Sequence, residues 1–118
     1  MTRKASVREV ATEIVARNPR AAADGLTVER LMEDVEVDPE DASHVLGSLN
    51  WSYAGIVVLP ESIGGLTVDG NLVLYANKLE SLPESFGSLT VGGYLDLRNN
   101  PVAKSLNENS FPGLRIFL

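Results

Sequence analysis

Two stretches of this chain align without a gap at an offset of 23 residues. Leu66-Thr67-Val68-Asp69-Gly70-Asn71-Leu72-Val73-Leu74-Tyr75-Ala76-Asn77 lies over Leu89-Thr90-Val91-Gly92-Gly93-Tyr94-Leu95-Asp96-Leu97-Arg98-Asn99-Asn100. The same offset carries Leu59-Pro60-Glu61-Ser62-Ile63-Gly64 onto Leu82-Pro83-Glu84-Ser85-Phe86-Gly87. A fixed period of this length marks a unit that cannot bury its apolar face alone and stacks on copies of itself. Each unit contains Leu-x-Leu-x-x-Asn. Period-two geometry turns Leu72, Leu74, Leu95 and Leu97 inward from short parallel strands. Asn77 and Asn100 follow each strand, where a buried amide can bond the backbone of a neighbouring coil as a structural ladder. Leu79, Leu82, Phe86 and Leu89 then fill the core on the return. Pro60 and Pro83 stiffen that return and suit polyproline-like backbone.

Units of the form LP-x-x-(x)-L-T-V-x-G-x-L-x-L-x-x-N-x-L resemble the tandem repeats of bacterial and bacteriophage-encoded leucine-rich repeat proteins. The resemblance spans about Leu59 to Leu118, roughly half the chain. It implies a curved solenoid with a parallel sheet on its concave face, generally used to bind other proteins. The outward positions of that sheet are then the candidate protein-binding residues: Asn71, Val73, Tyr75, Tyr94, Asp96 and Arg98, with Phe117 extending the row. Tyrosine and arginine are enriched among interface hot spots. So narrow a sheet falls below the ~800 Å² per partner of a standard interface. A partner must therefore engage the helical half too, or bind weakly with help from oligomerisation. The chain departs from the family in having two full units, the second losing its pattern at Pro101-Val102-Ala103-Lys104. Bacterial ubiquitin-ligase effectors with similar repeats need a catalytic cysteine domain, and this chain has no cysteine.

Sliding back by 23 places Leu49 and Trp51 on Leu72 and Leu74, and Ile56 and Leu59 on Leu79 and Leu82. Leu49 to Leu59 thus reads as a worn first repeat, with Trp51 covering the first coil. At the other end, Ile116 and Leu118 would occupy the Leu95 and Leu97 positions after a unit of 21 residues. An uncovered strand there is a template for pairing, which invites a homo-oligomer, or marks a piece of a longer array.

Residues 1–50 read as a helical cap of three helices, and residues 51–118 as the repeat region. Ser6-x-x-Glu9 is a capping box, followed by Val7, Val10, Ala11, Ile14 and Val15 on one face. Asn18-Pro19 ends that helix, and residues 21–25 connect it to the next. Thr27 caps a second helix with Val28, Leu31, Met32 and Val35 inward. Asp38 caps a third, with Pro39 at its first position and Val45, Leu46 and Leu49 as its buried stripe. The expected class is α+β, an α/β solenoid behind a three-helix cap that mimics a winged helix-turn-helix. In that variant the helix from Pro39 to Asn50 would enter a major groove, presenting Glu40, Asp41, Ser43, His44 and Ser48. It carries no lysine or arginine. Residues 1–58 hold six basic and ten acidic side chains, a balance of −4. The charge footprint of a nucleic-acid reader is missing.

The whole chain of 118 residues carries a net charge of −6. Without cysteine there is no disulfide, thiolate metal site or cysteine nucleophile. No apolar stretch approaches the ~20 residues that span a bilayer. The N-terminus (Met1-Thr2-Arg3-Lys4) is basic but leads into polar helix rather than an apolar signal core, so a cytoplasmic address is expected. Asn50-Trp51-Ser52, a glycosylation acceptor by pattern, counts for little on that reading. His44 lacks the partners of a triad. The acidic run from Glu33 to Asp41 lacks the order of a calcium loop, and Gly64-Gly65 and Gly92-Gly93 lack the lysine of a phosphate loop. No enzyme, cofactor or metal is expected. The leading expectation is a non-enzymatic protein-interaction module. The alternatives are a winged-helix-like DNA-binding regulator whose repeats serve dimerisation or sensing, and a self-assembling structural component.

Overall fold

A computed structural model describes residues 4–118. The basic start at Met1-Thr2-Arg3 lies outside the described residues. Three helices come first: α1 (Val7–Arg17), α2 (Pro19–Ala23) and α3 (Val28–Met32). The Ser6 hydroxyl accepts from the Glu9 amide at 3.0 Å and the Glu9 carboxylate accepts from the Ser6 amide, closing the capping box. Val7, Val10, Ala11 and Ile14 form the buried face of α1. Thr27 caps α3 through the Arg30 amide. The segment expected to be a plain connection contains α2, which proline at its first position favours.

The third helix expected over Pro39–Asn50 is absent, and the winged-helix reading loses its recognition element. Strands occupy the segment instead: β1 (Val37–Asp38), β2 (Asp41–Val45) and β3 (Leu49–Asn50). Asp38 accepts from the Glu40 amide at 2.8 Å, so it builds the tight turn of an antiparallel β1–β2 hairpin rather than capping a helix. Gly47, at φ +108°, separates β2 from β3 in a conformation that no helix allows. Strand structure therefore begins before residue 50, the boundary expected between the two regions.

The remaining strands are β4 (Thr67–Val68), β5 (Leu72–Val73), β6 (Thr90–Val91), β7 (Tyr94–Asp96) and β8 (Arg115–Phe117). They form two sheets, ordered β1-β2-β4-β6 and β3-β5-β7-β8, parallel throughout except for β1–β2. In the second sheet Leu49, Leu72, Leu95 and Ile116 lie side by side; in the first, Val45, Val68 and Val91 do. The offset is 23 residues in each step but the last, which is 21. The corner between the sheets repeats as well: the Gly70 amide donates to Gly47 and the Gly93 amide to Gly70, at 2.8 and 2.9 Å. A Cβ at Gly93 would collide with the Asn71 side-chain oxygen, so the corner closes only on glycine.

Each return passes through a 3₁₀ turn, Glu61–Gly65, Glu84–Ser88 and Pro101–Ser105. Pro60 and Pro83 enter the first two in polyproline-like backbone, at φ −76° and −67°. The helices and all the coils share one core, which includes Ile14, Trp51, Leu72, Leu74, Leu95, Leu97 and Phe86. Trp51 is buried, and its indole N–H donates to the Leu31 carbonyl at 2.7 Å, fastening α3 to the first coil.

Asn77 and Asn100 are buried and reach back to the preceding coil. The Asn77 side-chain oxygen accepts from the Ala54 and Ile56 amides, and its NH₂ donates to Trp51 and Leu74. Asn100 likewise accepts from Leu79 and donates to Leu74 and Leu97. Asn18, at the end of α1, serves the first coil in a similar way. It accepts from Val57 and Val58 and donates to Ile14 and Val58.

Candidate functional site

The outward face of the β3-β5-β7-β8 sheet gathers most of the residues singled out from the sequence. Leu72 and Leu95 point to the core, so their strand neighbours turn outward, with Asn50, Val73, Asp96 and Phe117 in one row across the sheet. Tyr75 and Arg98 follow one position beyond Leu74 and Leu97, held by continuing backbone bonds such as Ala76 amide to Arg98 carbonyl, 3.0 Å.

Around Tyr75 a cluster forms. The Arg98 guanidinium carbon lies 5.3 Å from the ring centroid, a cation–π arrangement. Asn99 donates to the Tyr75 hydroxyl at 3.0 Å, and Tyr53 meets the ring edge-on at 5.4 Å between centroids. Tyr53 is 66% exposed, so this cluster presents an aromatic surface to solvent. Tyr53 and Asn99 were not among the sequence candidates, although the 23-residue offset links them through Ala76. All three adopt left-handed backbone, at φ 53°, 58° and 60° for Tyr53, Ala76 and Asn99.

Asp96 departs from its expected outward role. Its side chain is 4% exposed because Arg98 folds over it while β8 pairs alongside. One carboxylate oxygen accepts from the Arg98 backbone amide and Nε at 3.1 and 3.0 Å, and the other from Nη2 at 2.8 Å. These bonds hold the Asp96 carboxyl below its ordinary range and the Arg98 guanidinium above its own. Asp96 therefore aims the arginine. Arg98, with its side chain 52% exposed, offers the remaining donors to solvent.

Asn71 and Val73 are half-buried. The Asn71 carboxamide accepts from the Tyr94 amide at 2.9 Å, which makes it a strand-to-strand link. Tyr94 stacks on Phe117 at 4.5 Å between centroids, forming a second aromatic pair on the same sheet.

His44 belongs to the other sheet. Its Nδ1 lies 3.0 Å from Asp38 and its Nε2 2.7 Å from Asp69. The Asp69 and then the Asp38 carboxylates raise its pKa, favouring an imidazolium that ties β2 to the adjoining hairpin and turn. No nucleophile adjoins it. Among the described residues no group of three or more histidine and acidic side chains is arranged to hold a metal, and no helix is long and apolar enough to cross a membrane. Comparisons with family models, curated proteins and solved structures find no match.

Proposed function

We infer that the chain is a short leucine-rich repeat protein of the bacterial and bacteriophage type, and that it acts as a non-enzymatic protein-interaction module. The observation that carries this reading is the Tyr53–Tyr75–Arg98 cluster: two tyrosines and an oriented arginine on the outer side of a parallel sheet whose strands repeat at 23 residues. Aromatic rings and arginine are the residue types that dominate binding energy at protein interfaces. The Asp96 fork fixes the guanidinium before any partner arrives, which lowers the entropy lost on binding. Tyr94 and Phe117 continue the aromatic surface along the sheet. A cytoplasmic setting, with another protein as partner, fits the composition.

The test is affinity capture from cell lysate at moderate salt, comparing the wild-type chain with Tyr75→Ala/Arg98→Ala. A protein retained by the wild type and lost from the double variant is the expected result. Equal capture by both would remove this face from the function, and nucleic acid held equally by both would overturn the reading. The DNA-binding alternative has no observation in its favour, since the helix it needs is replaced by strands.

A further inference from the structure

A second feature lies where the helices meet the first two coils. Arg20 on α2, Arg30 on α3 and Lys78 on the return from β5 converge on one open cleft of about 210 Å³, whose lining includes Tyr53, Val57 and Asp24. Among the described residues none of the three cations has an ion-pair partner. Three of the ten basic residues thus face one small cleft in a chain of net charge −6. Arg30 is held there by a 2.8 Å bond from Nη2 to the Tyr53 carbonyl, leaving its other N–H groups to a ligand.

We propose that this cleft binds an acidic segment of a protein partner, with carboxylates on the three cations and an apolar or aromatic side chain against Tyr53 and Val57. This rests on the interaction-module reading only in taking the occupant to be a protein. The cleft is smaller than the ~300–1,000 Å³ of sites for cofactor-sized ligands, yet has room for a few side-chain ends. Arginine suits carboxylates through paired N–H donors. Tyr53 and Val57 are both exposed and give a peptide apolar contact that phosphate alone would not use. A nucleic-acid strand, with a charge at every step, would face the repulsion of the whole acidic molecule.

The probe is a fluorescein-labelled peptide with three glutamates on either side of one tyrosine, followed by anisotropy at about 50 mM NaCl, where screening is weak. The wild-type chain is expected to bind it. Arg20→Glu/Lys78→Glu should weaken binding by at least about tenfold, and Asp24→Asn should tighten it a few-fold by removing the cleft's own carboxylate. A merely misfolded variant would not give that gain. Tyr75→Ala should leave the affinity within about twofold, since that ring does not line the cleft. Absence of binding, affinity unmoved by the charge reversal, or tighter binding of a single-stranded oligonucleotide of equal charge would overturn the proposal. Loss of peptide binding in Tyr75→Ala would move the site onto the sheet face and leave the module reading standing. Peptide binding without any capture dependent on Tyr75 and Arg98 would sink the module reading alone.

Discussion

The coil built on β2 and β3 and the coil built on β4 and β5 follow the same path with different residues. The second has Leu74 and Asn77 where the first has Trp51 and Ala54. The two agree where each faces another coil: Val45 and Val68, Gly47 and Gly70, Leu49 and Leu72. They differ where the first coil meets the helices. Trp51 is long enough to donate to Leu31 of α3, a carbonyl that no leucine could satisfy. Ala54 replaces an asparagine whose amide would reach back to a preceding coil, and the helical layer stands in that place. Gly55, beside it, runs so close to α2 that a Cβ there would touch the Ala21 Cβ at 3.4 Å. Substitution in the worn unit thus follows a change of neighbour. Asn18, from the helical side, takes over part of the amide-satisfying task.

The largest break in this comparison should come from Asn77→Ala. It orphans the Ala54 and Ile56 amides and two carbonyl contacts, at about 1–3 kcal/mol per buried unpaired group. A loss of about 3 kcal/mol or more in urea unfolding is expected. Asn100→Ala, which frees one amide, should cost less, about 2 kcal/mol. Trp51→Phe keeps an aromatic plug but removes the bond to Leu31, with an expected cost of about 1–2 kcal/mol by the same measurement. An unchanged midpoint would mean that α3 is not fastened through the indole. Ala76→Gly should sharpen the comparison with a small gain, since alanine at φ 58° carries strain that glycine lacks. About 1 kcal/mol at most is expected, offset in part by the entropy of glycine in the unfolded chain.

Much of the α+β arrangement was legible because the period is a long-range signal. The offset that pairs Leu66 to Asn77 with Leu89 to Asn100 is also the register of the parallel strands, and Trp51 and Ile116 lie where it puts them. Asp38 to Asn50 misled for a local reason. Asp-Pro-Glu-Asp carries the signature of a helix start, and Val45, Leu46 and Leu49 have helical spacing. Sliding the offset four residues further back would have set Val45 on Val68 and Gly47 on Gly70, exposing the strand. The edge offered by β4 decided the outcome, as tertiary pairing commonly overrides local propensity. At the candidate site, Tyr75, Arg98, Tyr94 and Phe117 could be placed by alternation alone. The burial of Asp96 could not, because it depends on how its neighbour Arg98 folds. Nor could the meeting of Arg20, Arg30 and Lys78, which lie far apart in sequence and converge only through packing.

Amide hydrogen exchange by NMR tests most directly whether side-chain amides from the helices and the coils hold the first coil in one continuous stack. The amides of Ala54, Ile56, Val57, Val58 and Leu79 lie outside every strand and donate to asparagine oxygens. They should be protected as well as the Leu49, Trp51 and Leu97 amides, which bond across the sheet. In Asn18→Ala only Val57 and Val58 should lose that protection. If these five amides exchange as fast as exposed loop positions such as Glu108, or if Asn18→Ala releases all of them together, the asparagine account of the stack is contradicted.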